Sequence, residues 1–224
     1  MSVPPTINDA SGIISPAMLV FRDRLLANID AMIAIAGDPS RLRPHCKTHK
    51  TREVVKLQIE RGILKHKCAT FAEAEMLAEA GVRDICLAYN LVGPNIDRAV
   101  AFCSTYPDID FAATADHADP IRELGNAMAA AGQQIAVLLD IDTGQHRTGV
   151  GVGDEAEALY RLISDTDGLE LGLAWTKGGH ADIGMALKEF GRGPGGPASE
   201  RGAGDYAALF MLSLIHISEP TRRY

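Results

Sequence analysis

From His66 to Trp175 the chain alternates two apolar patterns: short runs of hydrophobic residues, and longer stretches in which apolar positions recur at three- and four-residue spacing. The runs read as buried strands and the stretches as amphipathic helices. Strands are expected at His66–Ala69, Asp84–Tyr89, Asp110–Ala115, Ile135–Ile141 and Leu169–Trp175, the clearest being the fourth, with Ile135, Val137, Leu138, Leu139 and Ile141. Between them, Thr70 and Glu73 form a capping box for a helix that ends at Gly81. Further helices are predicted over Ile96–Thr105, Ala118–Ala131 and Asp154–Ile163.

Upstream, residues 1–14 form a polar lead-in that only Ile13 and Ile14 could anchor. A strand opened by Pro16 is expected over Ala17–Phe21, then a helix over Arg22–Ala36 stopped by Gly37-Asp38-Pro39. A second strand near residue 42 leads to a helix that ends by Arg61. Strict alternation of strand and helix means parallel strands with right-handed crossovers, in a (β/α)8 barrel or an open doubly wound sheet. No G-x-G-x-x-G follows the first strand, and Lys47, Asn90 and Arg147 fall at or just past strand ends. Both facts favour the barrel.

The chain has 224 residues, 46% of them apolar, which is ample for a buried core. A net charge of −7 argues against general nucleic-acid binding, and no basic amphipathic run suggests a membrane surface. With no signal-like N-terminus and no eighteen-residue apolar run, a cytoplasmic protein acting on a small molecule is expected. Cys46, Cys68, Cys86 and Cys103 are widely spaced and read as reduced.

The densest chemistry lies in Arg43-Pro44-His45-Cys46-Lys47-Thr48-His49-Lys50, at a strand-to-helix junction. On a strand, His45 and Lys47 would share a face, with Cys46 and Thr48 on the other. A lysine crowded by other cations loses its proton more readily, and a neutral amine forms a Schiff base with a carbonyl. Lys47 is the natural candidate. The same octet could be a solvated basic loop, a phosphate-binding patch, or a zinc site with Cys46, His49, His66 and Cys68, although the short paired spacing of zinc motifs is absent. A second group, Asp140-Ile141-Asp142-Thr143-Gly144-Gln145-His146-Arg147-Thr148-Gly149-Val150, follows the clearest strand. Its glycines would let backbone approach a ligand under the Arg147 guanidinium; the alternative is a surface loop with Arg147 bridged to Asp140 or Asp142.

Together the two groups carry a resemblance. The run from Arg43 to Lys50, followed far downstream by Asp-x-Asp-x-Gly-x-x-Arg-x-Gly, resembles the D-threonine aldolase and D-serine dehydratase group of pyridoxal-phosphate enzymes. These enzymes use the barrel of the alanine racemase N-terminal domain. Ser15-Pro16-Ala17, Asn28-Ile29 with Met32, Ala69-Thr70 with Glu73 and Glu75, and the run from Leu87 to Pro94 extend the likeness over roughly residues 15–172. It implies that Lys47 holds the cofactor covalently and that Arg147 lies beside the cofactor's ring hydroxyl. His45 would line the pocket, and Asn90 is counted with the cofactor-binding residues.

The resemblance further implies cleavage of a D-3-hydroxy amino acid to glycine and an aldehyde, or its dehydration, by a lyase. A divalent metal, manganese or zinc, would act as a Lewis acid in the full-length protein, with no ligand assigned in this chain. A non-catalytic pyridoxal-phosphate-binding protein is a further alternative, and a homodimer is an open expectation. After Gly172 the likeness ends: the family tends to show Gly-Leu-His-x-Tyr-Asp-Gly-His where this chain reads Gly172-Leu173-Ala174-Trp175-Thr176-Lys177-Gly178-Gly179-His180. The expectation is a partial barrel over 15–175 and an irregular Gly/Pro-rich segment over 176–211. Residues 212–224 resemble translated sequencing adapter, so the chain reads as a shortened gene product.

Overall fold

The computed structural model describes residue 7 and residues 9–176, apart from 18, 143, 145, 173 and 174. The expectations for 177–211 and 212–224 lie outside these residues. Helix α1 (Arg22–Ala36) opens the regular structure, and its Ile29 and Ala36 pack with Leu42 and Ile63 in a small core of their own. The strand expected at Ala17–Phe21 is not formed among the described residues of that range. Leu19, Val20 and Phe21 are exposed, and no described strand lies alongside them to share a hydrogen-bond ladder. Ile13 and Ile14 are exposed as well, so neither anchors the lead-in.

From there the order is α2 (Arg52–Ile59), β1 (Lys65–Cys68), α3 (Phe71–Ala80), β2 (Asp84–Asn90), α4 (Pro94–Thr105), β3 (Asp110–Ala115), α5 (Ala118–Ala130), β4 (Ile135–Ile141), α6 (Asp154–Asp165), β5 (Leu169–Leu171) and β6 (Trp175–Thr176). Strands β1 to β5 pair in parallel, each with the one before it in the chain. A doubly wound sheet reverses its order at a switch point, whereas this one grows in a single direction, as a barrel wall does. The last two strands both pair with β4. Ile135 faces Leu169, Val137 faces Leu171 and Asp140 faces Trp175. Of the strand expected over Leu169–Trp175, the described residues Leu169–Leu171 and Trp175 are extended and paired with β4.

One face of the sheet carries Ile85, Leu87, Phe111, Ala113, Ile135, Val137 and Leu139 against the helices. Phe71, Phe102 and Phe111 meet there with ring centroids 4.4 to 6.3 Å apart. Each such buried ring contributes on the order of 2 kcal/mol. The other face runs Lys67, Cys86, Ala112, Ala136, Glu170 in one register row. Three small side chains lie between two charged ones on this face.

The strand expected near residue 42 shrinks to one bridge between His45 and Lys67, with the Lys67 N–H donating to the Pro44 carbonyl at 2.9 Å. Its brevity has a local cause. Pro44 has no N–H to give, and His45 Nδ1 takes the Lys47 N–H at 3.2 Å, drawing the chain into a 3-10 turn over Cys46–Thr48. His45 and Lys47 are thus neighbours through a turn, not along one strand face. Because all strands are parallel, this turn, Asn90, and the loops after β3 and β4 share one rim of the sheet. A cleft lined by Cys103, Tyr106 and Gln133 lies at the opposite rim, where β3 and β4 begin.

Candidate active site

The three cations of the octet have different surroundings. Arg43 grips both carboxylate oxygens of Asp84, one of them at 2.8 Å, and so ties the incoming segment to the start of β2. Lys50 lies 3.2 Å from Glu73. Lys47 is exposed and makes no ion pair with a described residue. The octet is therefore no undifferentiated basic patch: two of its charges are neutralised by structure, and Lys47 is presented at the rim.

Glu73 is the hub beneath the turn. Its N–H donates to Thr70 Oγ1 at 3.2 Å, as the capping box requires, but its own carboxylate reaches the N–H of Ala69, one residue further back, at 2.8 Å. The same oxygen accepts the Cys46 thiol at 3.8 Å, and the carboxylate is only 4% exposed. Burial, and then the Glu73 charge, push the Cys46 thiol up to about 12, so it stays protonated at neutral pH. Burial pushes Cys68 up further and Cys103 to about 11. All four cysteines are free, as the sequence reading expects.

Two histidines nearby are held neutral. His49 Nδ1 accepts the Thr51 N–H at 3.0 Å, leaving a buried Nε2 without a partner, and burial lowers its pKa. His66, fully buried, is pushed down to about 3, by desolvation first and then by His49 and Arg43. Since Gln58 Oε1 can only accept, His66 Nε2 must be the protonated nitrogen across their 3.0 Å contact. The zinc set Cys46, His49, His66 and Cys68 does not converge on one point. Among the described residues the group that does is His45, Cys46 and Glu73, with ligand atoms all within 4.8 Å of one another.

The second constellation is a closed loop. The Asp142 N–H donates to the Val150 carbonyl at 2.8 Å and the Val150 N–H to the Asp140 carbonyl at 2.9 Å. Asp142 also accepts the N–H groups of His146 and Gly144, each at 3.0 Å, and the His146 ring at 2.8 Å. These bonds, the His146 backbone first, hold its carboxyl below the usual range. Gly149 sits inside the closure at φ +96°, where a Cβ would fall 2.6 Å from the Asp142 nitrogen. No other residue fits that space. Arg147 is exposed and joins neither Asp140 nor Asp142, so the salt-bridge alternative is not what this loop adopts.

Sequence reasoning missed Asp116. One of its oxygens accepts the Gly149 N–H at 2.8 Å and the other accepts the Asn90 carboxamide, binding the loop of Arg147 to the end of β2. Its signal was a polar residue directly after a strand, at the level of Asn90. Asn90 Oδ1 and Thr114 Oγ1, paired in register across β2 and β3, are both buried and without a partner. The structure thus links His45 to Lys47 and Asn90 to the Arg147 loop. No described contact joins the first pair to the second; they share the rim.

Known proteins bear on this arrangement. A D-threonine aldolase from Arthrobacter is 31% identical over 156 residues, which is 69% of this chain and 41% of that protein. D-threo-3-hydroxyaspartate dehydratase from Delftia is 31% identical over 172 residues, covering 74% of this chain and 43% of that protein. The chain therefore spans less than half the length of either relative. The crystal structure of D-threonine aldolase from Filomicrobium marinum superposes with a TM-score of 0.70 at 28% identity, over 79% of this chain and 51% of that one. The sequence also matches the family described as alanine racemase, N-terminal domain, over residues 20–191. The one-directional parallel sheet agrees with that match, and the chain belongs to the alanine racemase N-terminal domain family.

Proposed function

We propose that this chain forms the cofactor-binding barrel of a pyridoxal-phosphate-dependent lyase acting on D-3-hydroxy amino acids, and that the reaction is retro-aldol cleavage to glycine and an aldehyde. The observation that carries the reading is the pairing at one rim of an exposed lysine relieved of carboxylate partners, Lys47, with an exposed arginine on a clamped loop, Arg147. The residues suit the cofactor. Lys47 supplies the amine for its carbonyl carbon, and Arg147 supplies a cation for an anionic oxygen. Asn90 Oδ1 and Thr114 Oγ1 are polar atoms still lacking partners at the same level.

Bound pyridoxal phosphate would supply an electron sink for charge developing at the substrate's Cα. The chain's own part is positioning. His45 fixes the turn that carries Lys47 through the Lys47 N–H, and Asp116 fixes the loop that carries Arg147. A manganese or zinc ion acting on the substrate hydroxyl belongs to the proposal for the full-length enzyme, which assigns none of the described residues to it. No described helix is long and apolar enough to cross a membrane; a cytoplasmic location and a homodimer are parts of the same proposal.

The test is chemical. Added pyridoxal phosphate should give a visible absorbance that borohydride makes permanent, with the label recovered on Lys47. Lys47→Ala should abolish it, and an absorbance that survives this change would sink the assignment. With D-threonine and the full-length protein, acetaldehyde and glycine support the aldolase; a keto acid and ammonia would assign a dehydratase instead.

A further inference from the structure

Beneath the turn of Lys47 lies a donor set of which the proposed reaction uses only His45, and that only to fix the turn. We propose that His45, Cys46 and Glu73 bind a soft divalent cation, zinc or cadmium, and that its binding releases the turn carrying Lys47. An imidazole nitrogen, a sulfur and a carboxylate oxygen, all within 4.8 Å of one another, are a combination zinc accepts. Cys46 Sγ and Glu73 Oε2 stand 3.8 Å apart. A tetrahedral zinc ion with bonds of about 2.3 Å to sulfur and about 2.0 Å to oxygen holds the two about 3.5 Å apart. The ion therefore takes the place of the thiol proton with only a small approach of the two groups.

Charge and hydrogen bonding agree. Each ion bound expels the Cys46 proton, and the resulting thiolate, the Glu73 carboxylate and the dication sum to zero. A buried site without net charge avoids most of the desolvation penalty that an unbalanced ion would meet. Lys50, whose side chain is 65% exposed, is free to turn from Glu73 into solvent. The Ala69 N–H keeps its bond to Glu73 Oε2 and orients the carboxylate, as the outer partners of metal ligands do. The sulfur sets the selectivity, since magnesium and calcium prefer sites made wholly of oxygen.

The coupling to Lys47 follows from the His45 ring. A neutral imidazole has one lone pair to offer. In the metal-free turn, Nδ1 uses it to accept the Lys47 N–H. If the ion binds Nδ1, that bond is displaced; if it binds Nε2, Nδ1 must carry the ring proton and can no longer accept. By either route the bond that closes the turn is lost. This second part rests on the proposed role of Lys47, whereas metal binding itself does not.

Cadmium titrated into the whole chain should produce, at one equivalent, an ultraviolet thiolate-to-cadmium band. Cys46→Ala should remove the band and Cys68→Ala, which deletes a different buried thiol, should keep it. Glu73→Gln should weaken binding at least about tenfold, and magnesium should not compete. X-ray absorption on the zinc-loaded wild type should count one sulfur among nitrogen and oxygen donors, a reading that needs no variant. Absence of the band, its survival in Cys46→Ala, or any other sulfur count overturns the site. Zinc should also raise the dissociation constant for pyridoxal phosphate about tenfold in the wild type and leave it unchanged in Cys46→Ala. Unchanged affinity alongside a clear band would overturn the coupling alone, and failure to bind pyridoxal phosphate at all would count against the proposed function, not the metal site.

Discussion

One carboxylate oxygen of Asp116 accepts the backbone N–H of Gly149 at 2.8 Å, which makes the position of the Arg147 loop depend on a residue at the end of a different strand. The other oxygen holds Asn90. Asp116→Asn keeps the shape but sets an N–H₂ group against one of the two N–H donors. Since hydrogen bonds to charged groups contribute roughly 1.5–3 kcal/mol, affinity for pyridoxal phosphate should fall at least about tenfold. A cofactor titration checks this, and unaltered affinity would remove Asp116 from the site.

Gly149 and Gly81 both have left-handed backbone, at φ +96° and +101°, but only Gly149 is enclosed. Gly81→Ala should therefore cost about 1 kcal/mol, the conformational term alone. Gly149→Ala adds a clash with the Asp142 nitrogen and should cost roughly 3 kcal/mol or more. Denaturant unfolding of the two variants measures the difference, and equal costs would mean that the loop is not closed as described.

Arg147 is exposed and unpaired among the described residues, so its replacement should barely touch stability. Arg147→Leu is expected to shift unfolding by less than about 0.5 kcal/mol while weakening pyridoxal-phosphate binding severalfold. Arg147→Lys should recover only part of that loss, because an ammonium lacks the planar fork. Parallel unfolding and binding curves decide it; equal loss of both would mark the arginine as structural.

His66 gives the fold a pH dependence. Its pKa of about 3 lies under the ordinary 6.5, so below about pH 6.5 the unfolded chain takes a proton that the folded one refuses. Stability from this residue is complete above that pH and declines as the pH falls toward 3, by roughly 4 kcal/mol across the window. His66→Asn, which still offers an N–H to Gln58, should flatten the slope between pH 6 and pH 4 in denaturation curves. Matching slopes in the two proteins would show that His66 protonates without unfolding.

Elements β2, β3, β4 and helices α3 to α6 are legible in the sequence because each carries its own signal: a continuous apolar run, a cap, or a glycine stop. The two N-terminal strands that the pattern predicts differ from the structure for a reason that local pattern cannot supply. Ala17–Phe21 has strand-like residues but no described neighbour, and the segment before Lys47 has a neighbour but gives its hydrogen bonds to a turn. In the site, Lys47 and Arg147 stand out by motif, whereas Asp116 and Glu73 act through contacts to Gly149 and Cys46, 33 and 27 residues away, which no window of sequence joins.

That every described strand from β2 to β5 pairs with its predecessor has a consequence for how the chain is made. A strand leaving the ribosome finds its partner already in place, with only one helix and two short connections to close, so the entropy cost of each step is that of a local loop. The sheet can thus be assembled one strand and helix at a time, in the order of translation, with each growing edge capped by the next segment synthesised.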